Sequence, residues 1–136
     1  MLKYTLKNSR GQSLVEFALA LPILLLIVIG IIQFGIVWYS QVTITSASRE
    51  GARMASVGDN DDIIKSRVNS ITFGIPFLYV DVETDISIEP DPKIVGQEVR
   101  VTVSGEVDVI IPFIDFFLSQ DKFRIYSQTA MRYQSN

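Results

Sequence analysis

Hydrophobic positions follow three successive rules along this chain: first unbroken, then every third or fourth residue, then every second. The unbroken run is Phe17 to Trp38, almost entirely Leu, Ile, Val and Phe. As a helix, its about 22 residues span roughly 33 Å, enough to cross a bilayer core of about 30 Å. About fifteen large apolar side chains, at roughly −0.3 to −0.6 kcal/mol each on insertion, outweigh the few kcal/mol that one carboxylate costs. That carboxylate is Glu16, just before the run. A secretory signal would have a shorter apolar core followed by small cleavage residues. Here the only early small-x-small triplet, Ala18-Leu19-Ala20, comes before the core. A transmembrane helix over about 17–38 is predicted.

Trp38 and Tyr39 suit a membrane interface. Beyond them the helical pattern continues to about Gly58, a suitable C-cap. Ile44, Ala47, Gly51, Met54 and Ala55 share one face at spacings of three and four, with Ser46, Arg49, Glu50 and Arg53 opposite. The prediction is one rod from roughly Ser13 to Val57, apolar all round at first and amphipathic afterwards. Ala47, Gly51 and Ala55 allow close backbone approach, and being outside the bilayer they are expected to pack on the chain's own sheet. Pro22 removes an amide donor and predicts a kink.

Asp59-Asn60-Asp61-Asp62 reads as a turn capping a short helix over Ile63 to Ile71. A calcium loop fits poorly, because Ile63 falls on a ligand position and the required glycine is missing. Period-two alternation then marks strands: Leu78, Val80 and Val82, next Ile86 and Ile88, then Val99 to Val109. Pro90-Asp91-Pro92 breaks the pattern, Gly96 begins a turn and Gly105 suggests a bulge. A last strand is expected from about Phe123 to Arg132. Between the last two strands, Phe113 to Leu118 is read either as a closure of the core or as an exposed apolar docking patch. The fold class is α+β: a long N-terminal helix packed on a small antiparallel sheet that is solvated on its other face. Its parts are a leader at 1–11, the long helix at 12–58 and an outer α/β domain at 59–136.

Composition narrows the function. The 136 residues, with a mean hydropathy of +0.30, suit one membrane helix and one small domain. Without Cys or His there are no disulfides, thiolate metal sites, histidine bases or histidine-dependent nucleophile arrangements. No cofactor and no metal are expected. Acidic residues are scattered over turns and polar strand faces, without the clustering a carboxylate dyad needs, so no enzyme is expected. The net charge of −3 falls further once the leader's three cations are set aside, which argues against a nucleic-acid partner.

Those cations, Lys3, Lys7 and Arg10, are all on the N-terminal flank of the apolar run, and the first charge beyond it is Arg49. The positive-inside rule then predicts a cytoplasmic N-terminus and an extracytoplasmic C-terminal domain. Gly11 offers a protease an unhindered extended backbone. Glu16 either snorkels to the interface at a helix N-terminus or pairs with a charge on a neighbouring helix.

Arg10-Gly11-Gln12-Ser13-Leu14-Val15-Glu16-Phe17 resembles the processing site of a type IV-like prepilin. With Pro22, the apolar run and Arg49-Glu50-Gly51-Ala52-Arg53 just beyond it, the N-terminal part resembles the TadE-like family of the tight-adherence (Flp) pilus system. The resemblance covers about residues 10–57 and is loose over the strands. One departure is Glu16-Phe17, where the major Flp pilins carry Glu-Tyr. The resemblance implies cleavage between Gly11 and Gln12 by a prepilin peptidase, leaving Glu16 fifth in the mature chain. It implies a minor pilin or pseudopilin, with other minor pilins and a membrane assembly platform as partners. Arg49, Glu50, Gly51 and Arg53 are then family motif positions. The alternative from the residues alone is a single-pass anchored module whose outer domain binds a ligand. Retention or loss of Met1 to Gly11 separates the two readings.

Overall fold

The computed structural model describes residues 9–90, 92–112 and 121–134, with backbone only for Ser9 and Arg10. The Phe113 to Leu118 segment and most of the leader lie outside the described residues. Helix α1 runs Ser9–Ser56 and α2 runs Asp61–Thr72. The strands are β1 Leu78–Tyr79, β2 Ile86–Glu89, β3 Glu98–Asp108 and β4 Lys122–Arg132. The architecture is α+β, a long N-terminal helix on a small antiparallel sheet, as the pattern predicts.

The end of α1 follows from one glycine. Gly58 adopts φ 93°, its N–H donates to the Ala55 carbonyl, and the Asp59 N–H donates to Met54. These two bonds satisfy carbonyls that the last turn would leave open, in a Schellman motif. The chain reverses at once into α2, whose first amides are met by Asn60: its side chain accepts from the Asp62 N–H at 3.1 Å. Asp61 pairs with Lys93 at 2.6 Å, and Lys93 also donates to the Asp59 carbonyl. The acidic run thus caps a helix and ties it to the loop before β3.

β3 is the centre of the sheet. β4 pairs antiparallel along its whole length, from Glu98↔Arg132 to Asp108↔Lys122. That occupies one edge, so β2 (Ile86↔Val103 to Glu89↔Arg100) and β1 (Leu78↔Val107) share the other. Val99, Val101, Val103 and Val107 all point to one face and are fully buried there. Complete burial contributes roughly 1.5–3 kcal/mol for each such side chain. Their cover is α1, through Ile44, Ala47, Ala52 and Ala55, with Ile64 and Val68 of α2. The small-residue row of α1 packs on the chain's own sheet, as its position predicts. The outer edge of β4 has no strand partner among the described residues, and Gln41 of α1 donates to its Tyr126 carbonyl at 3.1 Å.

Three expectations change. The Leu78–Glu83 alternation yields only a two-residue strand, because Asp81 turns the chain: its carboxylate accepts from the Glu83 and Thr84 amides at 2.8 and 3.0 Å. Those two bonds hold the Asp81 carboxyl below its ordinary range. Val80 and Val82 still pack on the core, so their alternation reported burial without a ladder. Gly105 makes no bulge; it pairs in register with Ile125. It is glycine because a Cβ there would meet the Tyr79 carbonyl and Val80 at 2.9 Å. Finally, α1 begins at Ser9, so the Gly11–Gln12 peptide is helical where an extended backbone was expected.

Gly51 is the tightest point of the helix–sheet contact, where a Cβ would lie 3.0 Å from Val101 and 3.1 Å from Val68. Gly51→Val should destabilise the outer domain by about 1–3 kcal/mol through overpacking, measured by denaturant unfolding in detergent.

Candidate functional site

The predicted site residues fall into two groups on α1. The first is at its start. Gln12 and Glu16 are one turn apart, and the Gln12 side-chain amide donates to the Glu16 carboxylate at 3.1 Å. Gly11 has open space where a Cβ would be, and Glu16 and Phe17 are exposed. Pro22 lies inside the helix. From Gly11 to Val28 every residue of α1 is exposed, and the most apolar 18-residue window has mean hydropathy 2.8 with none of it buried. In water such a surface would be strongly unfavourable. This half of α1 is a candidate membrane anchor, covered on no side by the described residues.

The second group is the Arg49–Arg53 motif, and it divides by face. Gly51 and Ala52 point into the core. Glu50 takes two bonds from Arg53, each 3.0 Å, and lies 3.8 Å from the guanidinium of Arg67 on α2. The motif thus supplies both the close approach of α1 to the sheet and a charge bridge to α2. The hydrogen bond from Arg53 holds the Glu50 carboxyl below the ordinary glutamate value of 4.5, and the same pair raises Arg53. Arg53 therefore has its acidic partner within the motif. Arg49 is exposed, makes no ion pair among the described residues, and lines a shallow groove with Trp38, Val42 and Thr45. At 1.5 Å per residue, Glu16 and Arg49 are about 50 Å apart along α1, so the structure does not bring the two groups together.

Two features escaped the sequence pattern. Gln33 sits within the apolar run yet is only 3% exposed. Its side-chain amide donates to the Asp108 carbonyl at 3.1 Å and its oxygen accepts from the Ile110 N–H at 2.7 Å. It clamps the chain where β3 leaves the ladder. The only signal was a lone polar residue amid aliphatics. The second feature is a hydroxyl row inside the helix–sheet contact. Ser48 gives its one proton to the Thr45 carbonyl, so Ser127 at 3.1 Å and Thr129 at 2.9 Å must donate to it. Gln33, Ser40 and Ser48, spaced seven and eight apart, form one polar line down the buried face.

Residues 11–53 match the family model described as TadE-like protein, the family that the sequence resembles. The match covers the helix alone, joining both groups of site residues, and points to association with the tight-adherence pilus. No curated protein and no solved structure matches the chain.

Arg53→Gln should move the Glu50 carboxyl titration back up toward 4.5, read by carboxyl NMR. Because that group is depressed in the folded state, its contribution is complete above 4.5 and disappears as pH falls through the folded value. The α1–α2 bridge should therefore loosen only in acid. Gln33→Leu strands an amide and a carbonyl at the end of β3, with an expected loss of about 1–3 kcal/mol by thermal or denaturant unfolding.

Proposed function

We propose that this chain is a minor pilin or pseudopilin of the tight-adherence pilus system, a structural subunit and not a catalyst. The observation that carries this reading is the apolar half of α1, uncovered on every side, which begins with the Gln12–Glu16 pair and lies inside the family match. A stretch of helix that none of the described residues covers is suited to meet lipid and other helices.

On this reading the leader holds the N-terminus at the cytoplasmic face, and a membrane prepilin peptidase cuts between Gly11 and Gln12. The first turn of a helix has amides without internal acceptors, so it unwinds readily to present Gly11 in the extended form a protease needs. Cleavage removes the leader's three cations and creates an amine at Gln12. That amine is one turn from Glu16 of the same subunit, so the two charges can neutralise each other while the subunit waits in the membrane. In a bundle, the amine of one helix can take the Glu16 carboxylate of its neighbour instead. An unpaired acid at the hydrocarbon edge is costly, so this exchange favours a defined axial register between subunits. The partners are then other minor pilins and the assembly platform, with the outer domain extracytoplasmic.

The test is N-terminal sequencing of membrane-fraction protein with and without the prepilin peptidase of the host cell. The expected first residue is Gln12 with the enzyme and Met1 without it; Met1 in both would sink the reading. Glu16→Ala should still be clipped but assemble poorly, and normal pili from that variant would reject the charge exchange alone.

A further inference from the structure

The end of the outer domain nearest the bare half of α1 is apolar in an unusual way. Here the chain leaves β3, and four of its backbone groups have partners within the protein. The Asp108 N–H donates to Phe77, the Val109 N–H to Asp121 and the Ile110 N–H to Gln33, while the Asp108 carbonyl accepts from Gln33. Pro112 has no N–H to satisfy.

Aromatic side chains surround this closed end. Phe77 is 42% exposed although its φ is 64°, a left-handed conformation that a bulky residue adopts only when its surroundings impose it. Phe123, paired with Val107, is 40% exposed at the start of β4. On α1 at the same level, Phe34 and Trp38 are exposed and stacked, with centroids 6.2 Å apart. Lys122, at the start of β4, holds its Nζ 5.5 Å from the Tyr79 ring and 3.1 Å from the Glu106 carboxylate. This patch is continuous with the bare helix: Gln33 is buried against the outer domain and lies about 32 Å along α1 from Gln12, so a bilayer core ending there begins near Gln12, a few residues before the 17–38 span expected from the sequence.

From this we infer that the base of the outer domain is a lipid-contacting surface, with Phe34, Trp38, Phe77, Pro112 and Phe123 seated in the outer leaflet's headgroup region around a helix whose hydrocarbon-spanning part ends at Gln33. The inference deepens the membrane-anchor part of the proposed function and rests on it. The domain does not stand off the bilayer on a stalk. Water-filled distance between them is absent, and the aromatic ring fixes its height and tilt.

Trp38 is the sole tryptophan, so depth can be read by fluorescence. The full chain is reconstituted in phosphatidylcholine vesicles carrying bromines near either the glycerol end or the methyl end of the acyl chains. The native chain is compared with Trp38→Phe/Phe77→Trp and Trp38→Phe/Phe123→Trp. Indole at position 77 or 123 should emit to the blue of free tryptophan and lose more intensity to shallow than to deep bromines. Quenching of native Trp38 with no quenching at 77 and 123 overturns this inference while the anchor survives. Blue-shifted but unquenched indole at 77 and 123 overturns it too, since a protein neighbour then covers the patch. If native Trp38 is itself unquenched, the anchor reading fails first.

Discussion

The contact between the small-residue face of α1 and the buried valines of β3 is what the rest of the molecule depends on. Ala47, Gly51, Ala52 and Ala55 bring the helix backbone close enough for Val99, Val101 and Val103 to bury completely. A sheet three strands wide cannot build a two-sided core from its own side chains. It borrows one from a helix whose other half is the candidate membrane anchor. The domain is thus inseparable from the anchor, and α2 acts as the second half of the roof, held by Glu50, Arg53 and Arg67.

Much of this was legible because each environment imposes its own period. A bilayer demands an unbroken run, a half-buried helix a spacing of three to four, and a one-sided sheet an alternation. Those periods gave the long helix to within a few residues at each end, the buried row around Gly51, and the long strands β3 and β4. Where they misled, a side chain competed with the backbone pattern. Asp81 captured two amides and ended β1 after Tyr79, although Val80 and Val82 remained inward. At Gly105, the reason for glycine was a neighbouring carbonyl from a strand far away in sequence, which no local pattern reports.

The candidate site was legible in part. Glu16 and Gln12 could be related by helical spacing, and the Arg49–Arg53 stretch by its likeness to a family. What the stretch does came only from three dimensions, since one face of it touches the core and the other bridges to α2. Gln33 was the least legible. In a linear reading it is a blemish in an apolar run; in the fold it closes the end of the sheet with two hydrogen bonds.

The outer edge of β4 has a consequence for how copies of this chain meet. Eleven residues whose outer side has no strand partner among the described residues would invite strand addition from any passing copy. Gln41 already occupies one of its carbonyls, while Lys122, Arg124 and Gln128 reach across the sheet to Glu106, Asp85 and Thr102. Adding a strand there would displace that amide. This edge is thereby less open to sheet-to-sheet pairing than its length alone would make it.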